Sequence, residues 1–350
     1  MKQTVVDTLL LTAILFLATY LRFHHLETNP GWYSDEGTHL AIARELLNGR
    51  WQYLAINQST LLFAKLPLFE LLLATAVRLF GLSMLALRGL TAGLAILSVG
   101  LTYLVGRVLM PQTRWFPLAA ALALAIYPQA ILYSRFGFSY NLLTPLLLLT
   151  ILGLCQYRSS RQRRWLGVAA VVAGLGIVTD LAMVSLIFVC ALIIWQVNWR
   201  DGLWAGPLLL IPFGLYVGAS LLTTPDAFWF DLTYTLTRLS GRSITDQLLL
   251  LGRNYTLLVA QDSWIAVSMI GLWLLPKNGR DLALLSWFVP ILMLGRTVPL
   301  TELSFYYVSW LLPLVALGVA AVGVRGLDYL IQEMGRLWGQ VMGLLVIGVL

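Results

Sequence analysis

Apolar residues run through this chain in long blocks separated by short polar joints, and no stretch is polar enough to build a water-soluble domain. The blocks are roughly 15–22 residues long, the length a helix needs to cross a bilayer. They predict spans over Thr8–Leu21, Met84–Gly106, Phe116–Tyr133, Leu142–Gln156, Trp204–Leu222, Ser263–Leu275, Leu282–Leu294, Phe305–Gly323 and Trp338–Leu350. Trp165–Val197 is long enough for two short spans that turn near Thr179-Asp180. The pattern predicts an all-α polytopic membrane protein with about eleven crossings. Leu61–Phe80 is apolar too, but it holds Lys65, Pro67, Glu70 and Arg78. Those charges are expensive in hydrocarbon, so this stretch reads as a helix lying in the interface.

Composition agrees: 59% of residues are hydrophobic and 11% are charged, against about 25% charged in soluble domains. The first run has no small-residue cleavage site, so it reads as a retained helix and not a removed signal peptide. The last run is cut by the end of the chain, as in a piece of a longer protein. The formal charge of +7 bears first on orientation, because Lys and Arg crowd cytoplasmic loops. Arg158, Arg161, Arg163 and Arg164, with no acid between them, mark one such loop. Propagating from it puts two long segments outside, 22–83 and 223–262. The whole chain then reads as one transmembrane domain, with 22–83 as a catalytic outer loop carrying interfacial helices. Cys155 and Cys190 lie within apolar runs without metal-ligand spacing and read as packing residues. Arg78, Arg88, Arg238 and Arg242 read as interface anchors. Ala173-Gly174-Leu175-Gly176 reads as a helix-packing patch.

Asp35, Glu36, Lys65, Glu70, Arg135, Asp180, Arg296 and Glu302 gather on the outer side, where ionisable groups at membrane depth mark function. Asp35-Glu36 is the central pair. It follows Trp32-Tyr33-Ser34 and opens an amphipathic stretch, so one acid can cap the helix while the other faces substrate. Lys65, followed by Pro67, and Arg135, at an outer helix junction, suit a phosphate or an ordinary phospholipid headgroup. Arg296 joins them as a phosphate-binding candidate. His39, Asp180, Glu302 and Tyr306 are candidate substrate contacts. Asp35 and His39, four residues apart, leave a divalent cation open as a cofactor. His24 and Glu27 support a zinc site only weakly, because Asn29-Pro30 breaks the helix. The chain has no phosphate-cradling loop, no GxSxG and no dinucleotide fingerprint.

The order of these motifs resembles the membrane-embedded GT-C glycosyltransferases. It runs from Asp35-Glu36 through Lys65-Leu66-Pro67-Leu68-Phe69, Leu79-Phe80-Gly81 and Leu87-Arg88 to Ser134-Arg135. The nearest branch is the dolichyl-phosphate-mannose protein mannosyltransferase and lipid A aminoarabinose transferase type. The likeness covers about residues 5–180, with an echo from Glu302 to Pro313. It implies transfer of a hexosyl or pentosyl group from a polyprenyl-phosphate donor to a lipid, glycan or protein acceptor. Inversion at the anomeric carbon, a non-cytoplasmic site and a bacterial inner membrane come with that implication. Asp35, with Glu36 beside it, is then the base, while Lys65 and Arg135 hold the donor phosphate. Two departures stand out: Lys65-Leu66-Pro67 where the family commonly has Lys-Pro-Pro, and Tyr140-Asn141 where many members carry a second acid. Asp180 and Glu302 are the candidate replacements for that acid. The rival reading is a lipid-linked sugar flippase, which would need acids deep within spans.

Overall fold

The structure, a computed structural model, describes residues 2–50, 66–239, 243–296 and 302–349. Among them every regular element is helical. In chain order these are α1 (Lys2–Phe23), α2 (Ser34–Leu47), α3 (Pro67–Phe80), α4 (Met84–Leu109), α5 (Phe116–Ile126), α6 (Pro128–Ser134), α7 (Tyr140–Ser160) and α8 (Arg163–Ile177). Then follow α9 (Ser185–Asn198), α10 (Gly202–Thr223), α11 (Pro225–Leu239), α12 (Ile244–Gln261), α13 (Ser263–Trp273), α14 (Lys277–Gly295) and α15 (Leu312–Val349). Short 3₁₀ helices cover Leu181–Val184, Trp199–Asp201 and Glu302–Leu311.

The chain is an integral, multi-pass membrane protein. Val5–Phe23, Met84–Leu109, Tyr140–Ser160, Leu181–Thr223 and Phe305–Gln332 are each long and apolar enough to cross a bilayer, and two bent helix pairs raise the number from 5 to 7. That number takes in only helices among the described residues that qualify by length and composition, not every one of the eleven crossings expected. Helices α8 and α9, with 15 and 14 residues, are short for a span, and α14 opens on Lys277, Arg280 and Asp281. The run Leu181–Thr223 divides at Asn198, whose extended backbone (φ −165°, ψ 105°) and side-chain cap on the Arg200 N–H start a new helix. Helix α3 has 14 residues, about 21 Å at 1.5 Å per residue, and lies against α2 and α4. The segment 223–262, expected as an outer loop, is largely helical among the described residues, as α11 and α12.

Phe116–Tyr133, expected as one span, is broken. Pro128 lacks the N–H that would continue the helix and holds Tyr127 extended, so α5 and α6 meet at 58°. Helices α12 and α13 meet at 102° around Asp262, whose carboxylate caps the Trp264 N–H at 3.0 Å. The two breaks touch. Tyr127 donates its hydroxyl proton to Asp262 and stacks on Trp264, with centroids 4.6 Å apart and planes 8° from parallel.

The first turns of α15 form the centre of the bundle, with Leu314, Val315, Ala316, Leu317 and Ala321 fully buried. Helix α13 crosses α15 backbone to backbone. A Cβ on Gly271 would lie 1.7 Å from the Gly318 carbonyl oxygen, and one on Gly318 would lie 2.3 Å from that of Ser268. Small residues at a crossing permit such an approach in a membrane. The Gly174 patch works the same way, with its missing Cβ 2.3 Å from the Leu209 carbonyl oxygen of α10. Cys155 and Cys190 are free thiols in the core.

Gly318→Val therefore separates α13 from α15. It is expected to destabilise the protein by at least about 1–3 kcal/mol, read as a lower melting temperature in detergent. Gly323→Ala, where a Cβ meets nothing within 4 Å, leaves the melt near wild type.

Candidate active site

The acidic pair divides. Glu36 is fully buried and Asp35 half-buried, because successive helical residues point about 100° apart. Arg88 of α4 grips both Glu36 carboxylate oxygens, Nε to Oε1 at 2.8 Å and NH2 to Oε2 at 2.8 Å. Glu36 also accepts the Gly137 N–H at 2.9 Å and the Tyr33 N–H at 3.2 Å, the latter closing the first turn of α2. Four donors on one carboxylate make it the anchor of the loop, not a base. The sequence alone places Glu36 with Asp35 as catalytic; in the fold its carboxylate oxygens are occupied by these donors.

Arg88 is likewise no interface anchor. It is 2% exposed and donates to the carbonyls of Leu26, Glu27, Pro30 and Gly31 at 2.9–3.3 Å. Arg135 holds the other half of the same loop through the carbonyls of Leu21, His24, His25 and Asn29 at 2.6–3.2 Å. Burial first, and the Arg88 charge second, push the Arg135 pKa below its ordinary value. A guanidinium committed to four carbonyls is a clamp for the chain, so the geometry does not support Arg135 as a phosphate ligand. Arg22, which sequence reasoning missed, does similar work one layer deeper. It donates to the Leu124 and Ala125 carbonyls at 3.0 Å, which the break at Pro128 leaves without helical partners.

His39 also turns inward. Its Nδ1 lies 2.5 Å from Glu70 Oε1, with both side chains at most 2% exposed, and its ring meets Phe69 edge-on. This pair joins α2 to α3, so His39 is a structural contact and not a substrate ligand. Arg296 follows α14 with an exposed side chain. Lys65 and the Glu302 side chain lie outside the described residues. The residue after Lys65, Leu66, is buried against Phe228 and Leu181. Leu68 donates its N–H to the Val178 carbonyl at 3.0 Å, which brings the start of α3 to the approach to Asp180.

Tyr33, two residues before Asp35, belongs to a nest of rings. Tyr33 meets Phe138 at 5.2 Å and Tyr306 at 6.0 Å. Phe138 stacks on Tyr306 at 4.8 Å, and Tyr306 touches Tyr307 at 4.4 Å and Tyr140 at 5.7 Å. Asp35 and Asp180 both lie within electrostatic reach of the Tyr140 hydroxyl. Asp180 is half-buried and caps the Leu181–Val184 turn through the Ala182 N–H at 2.9 Å. Of the candidates, Asp35, Asp180 and Tyr306 thus come together, although their elements are more than a hundred residues apart. Tyr33, Phe136, Phe138, Tyr140 and Tyr307 were missed as site residues; the aromatic density of Tyr133–Tyr140 and Tyr306-Tyr307 was the available signal. Among the described residues no three His, Cys, Asp or Glu side chains converge as a metal site. An aromatic wall beside a carboxylate suits a sugar-sized ligand, with rings against its apolar face and the acid against a hydroxyl.

Glu36→Gln leaves the Arg88 charge buried and poorly compensated. Removing one partner of such a pair costs about 3–5 kcal/mol. The variant is expected to lose thermal stability or fail to accumulate, while Asp35→Asn melts near wild type; a detergent thermal-shift series compares the two.

No curated protein matches the chain by sequence. Among solved structures, ArnT from Cupriavidus metallidurans bound to undecaprenyl phosphate aligns with TM-score 0.68 and 20% identity, over 99% of this chain and 63% of that one. The archaeal oligosaccharyltransferase AglB from Archaeoglobus fulgidus, in complex with an inhibitory peptide and a dolichol-phosphate, aligns with TM-score 0.63 and 14% identity, over 99% and 54%. The chain thus spans less than two thirds of the length of these proteins, and it shares their GT-C fold. The model of one family matches residues 64–238, half of the chain. The chain belongs to the dolichyl-phosphate-mannose-protein mannosyltransferase family.

Proposed function

We propose that this protein is a glycosyltransferase that moves a hexosyl or pentosyl group from a polyprenyl-phosphate donor to a lipid, glycan or protein acceptor. The observation that carries the reading is the split of the acidic pair. Glu36 is consumed in holding the loop, while Asp35 stands half-buried, within electrostatic reach of Tyr140, whose ring meets that of Tyr306. Family membership and the shared fold with a protein that binds undecaprenyl phosphate support the donor class. AglB, with its peptide and dolichol-phosphate, supports a macromolecular acceptor.

In this reading Asp35 takes the proton from the acceptor hydroxyl or amine as that atom attacks the anomeric carbon. The bond from that carbon to the phosphate oxygen breaks on the opposite face, and the polyprenyl phosphate leaves with the electron pair. The sugar is inverted. Cations stabilise the charge that develops on the departing phosphate. Lys65 is the candidate for that role, two residues before Pro67 opens α3, and Arg296 is the second. Tyr306 and its neighbours wall the sugar. Asp180, close to the Tyr140 hydroxyl, replaces the family's second acid in orienting substrate, and Glu302 is the alternative. The site faces the extracytoplasmic side of a bacterial plasma membrane, because the Arg158–Arg164 loop lies at the far end of α7 and α8 and reads as cytoplasmic.

Replacing a general base costs typically about 10²–10⁴-fold in rate. Asp35→Asn is expected to lose transfer by that factor while keeping its melting temperature and its retention of undecaprenyl phosphate. The assay follows radiolabelled sugar from polyprenyl-phosphate donors into a membrane acceptor extract. Wild-type transfer by the variant would remove Asp35 from the reaction. Movement of the lipid-linked sugar across sealed vesicles by both proteins, without transfer, would replace the enzyme reading with the flippase.

A further inference from the structure

At the end of the bundle away from Asp35, an apolar groove of about 270 Å³ opens between α8, α9 and α10. Leu166, Ala170, Ile187, Ile194, Trp199 and Gly206 are among its lining residues. From Ile187 to Trp199 it follows α9 for about 18 Å, at 1.5 Å per residue. Its walls belong to the apolar run Leu181–Thr223, so the groove faces hydrocarbon and fits an extended lipid chain. Its floor is made of small residues. Gly206 shows how much room they leave: a Cβ there would meet nothing within 4 Å.

One end of the groove is basic. The Arg200 guanidinium sits 5.8 Å from the centre of the Trp199 ring, which lines the groove. Arg161 donates to the Val197 carbonyl at 3.0 Å, two residues from Trp199. Arg164 lies over Trp165, 5.5 Å away, next to the lining residue Leu166. The acid in this neighbourhood, Asp201, is already taken by Arg163 at 2.8 Å and by the Tyr157 hydroxyl at 2.7 Å. Arg161, Arg164 and Arg200 therefore leave a positive mouth on an apolar slot. Exposed Trp195 and Trp199 mark the level where chain gives way to headgroup.

We propose that this groove is a binding site for one acyl chain of an anionic glycerophospholipid, with its phosphate on Arg164 and Arg200. Apolar slot and cationic mouth together match that amphiphile, and a leaflet rich in anionic lipid concentrates at such a loop. The sugar donor is a poorer match for the position. The mouth is separated from Asp180 by the full length of α8, whose 15 residues span about 22 Å. The site is thus a second lipid site that fixes the short helices α8 and α9 to the longer α10, with its charged mouth at the end opposite the chemistry.

The test reconstitutes the full chain in vesicles of equal phosphatidylglycerol and phosphatidylcholine, extracts it in mild detergent, and counts bound lipid by native mass spectrometry. Wild type is expected to retain one phosphatidylglycerol in preference to phosphatidylcholine. Gly206→Leu fills the slot and loses most of that lipid. Ala191→Leu, on the α9 wall, does the same and covers the case in which the first variant fails to fold. Arg164→Gln combined with Arg200→Gln retains lipid without the preference for phosphatidylglycerol. Equal retention by wild type and both groove variants would overturn the site. Equal binding of the two lipids by wild type would overturn the headgroup assignment. Displacement of phosphatidylglycerol by an equimolar amount of undecaprenyl phosphate would assign the groove to the donor and overturn the phospholipid.

Discussion

Between α1 and α2 the chain leaves regular helix, and each carbonyl it turns inward without a partner is costly. Two arginines resolve this. Arg88 and Arg135, from α4 and the α6–α7 junction, collect eight carbonyls between Leu21 and Gly31. Two guanidinium charges so close need a counter-charge, and Glu36 supplies it through both carboxylate oxygens. The same carboxylate receives the Gly137 N–H, so the cluster locks the loop, the start of α2 and the α6–α7 junction to one another. The position of Asp35 depends on that lock, since it is the residue before Glu36.

This constraint gives two adjacent carboxylates opposite tasks. Helical geometry turns Glu36 into the protein and leaves Asp35 half-buried on a different face of α2. The aromatic cluster is assembled from three distant stretches, Tyr33, Phe136 to Tyr140, and Tyr306-Tyr307. It has shape because its backbone supports are ion-paired and buried, so the rings are carried by elements that cannot slide independently. Preorganisation of this kind is what a transfer reaction needs, because orientation must be set before the bond changes.

A second lock is made of helix breaks. The bend at Tyr127-Pro128 and the bend at Asp262 face each other, and the Tyr127–Asp262 hydrogen bond with the Trp264 stack joins them. Arg22 takes the carbonyls that the first bend releases. Broken helices are tolerated in a membrane when other groups satisfy the backbone, and here each exposed end has a named partner. The bend delivers α6, and with it Ser134 and Arg135, to the end of α1.

Run lengths and the scarcity of charge were enough to establish a helical, multi-pass membrane protein, because hydrocarbon selects helices by length and apolarity alone. The ordered motifs around Asp35 and Ser134-Arg135 were enough to reach the family. The sequence singled out Asp35, Asp180 and Tyr306 as candidates, since charges and aromatics stand out against apolar runs. It did not separate Asp35 from Glu36, nor tell that Arg88, Arg135 and His39 face inward. A charged residue reads the same in one dimension whether it meets headgroups or buried carbonyls. Run lengths likewise do not show the short helices α8 and α9 or the bend at Pro128, because these depend on what packs beside them. Only the tertiary structure decided these points: the partner that makes a buried charge affordable comes from 52 residues away for Glu36 and Arg88, and a linear pattern carries no record of it.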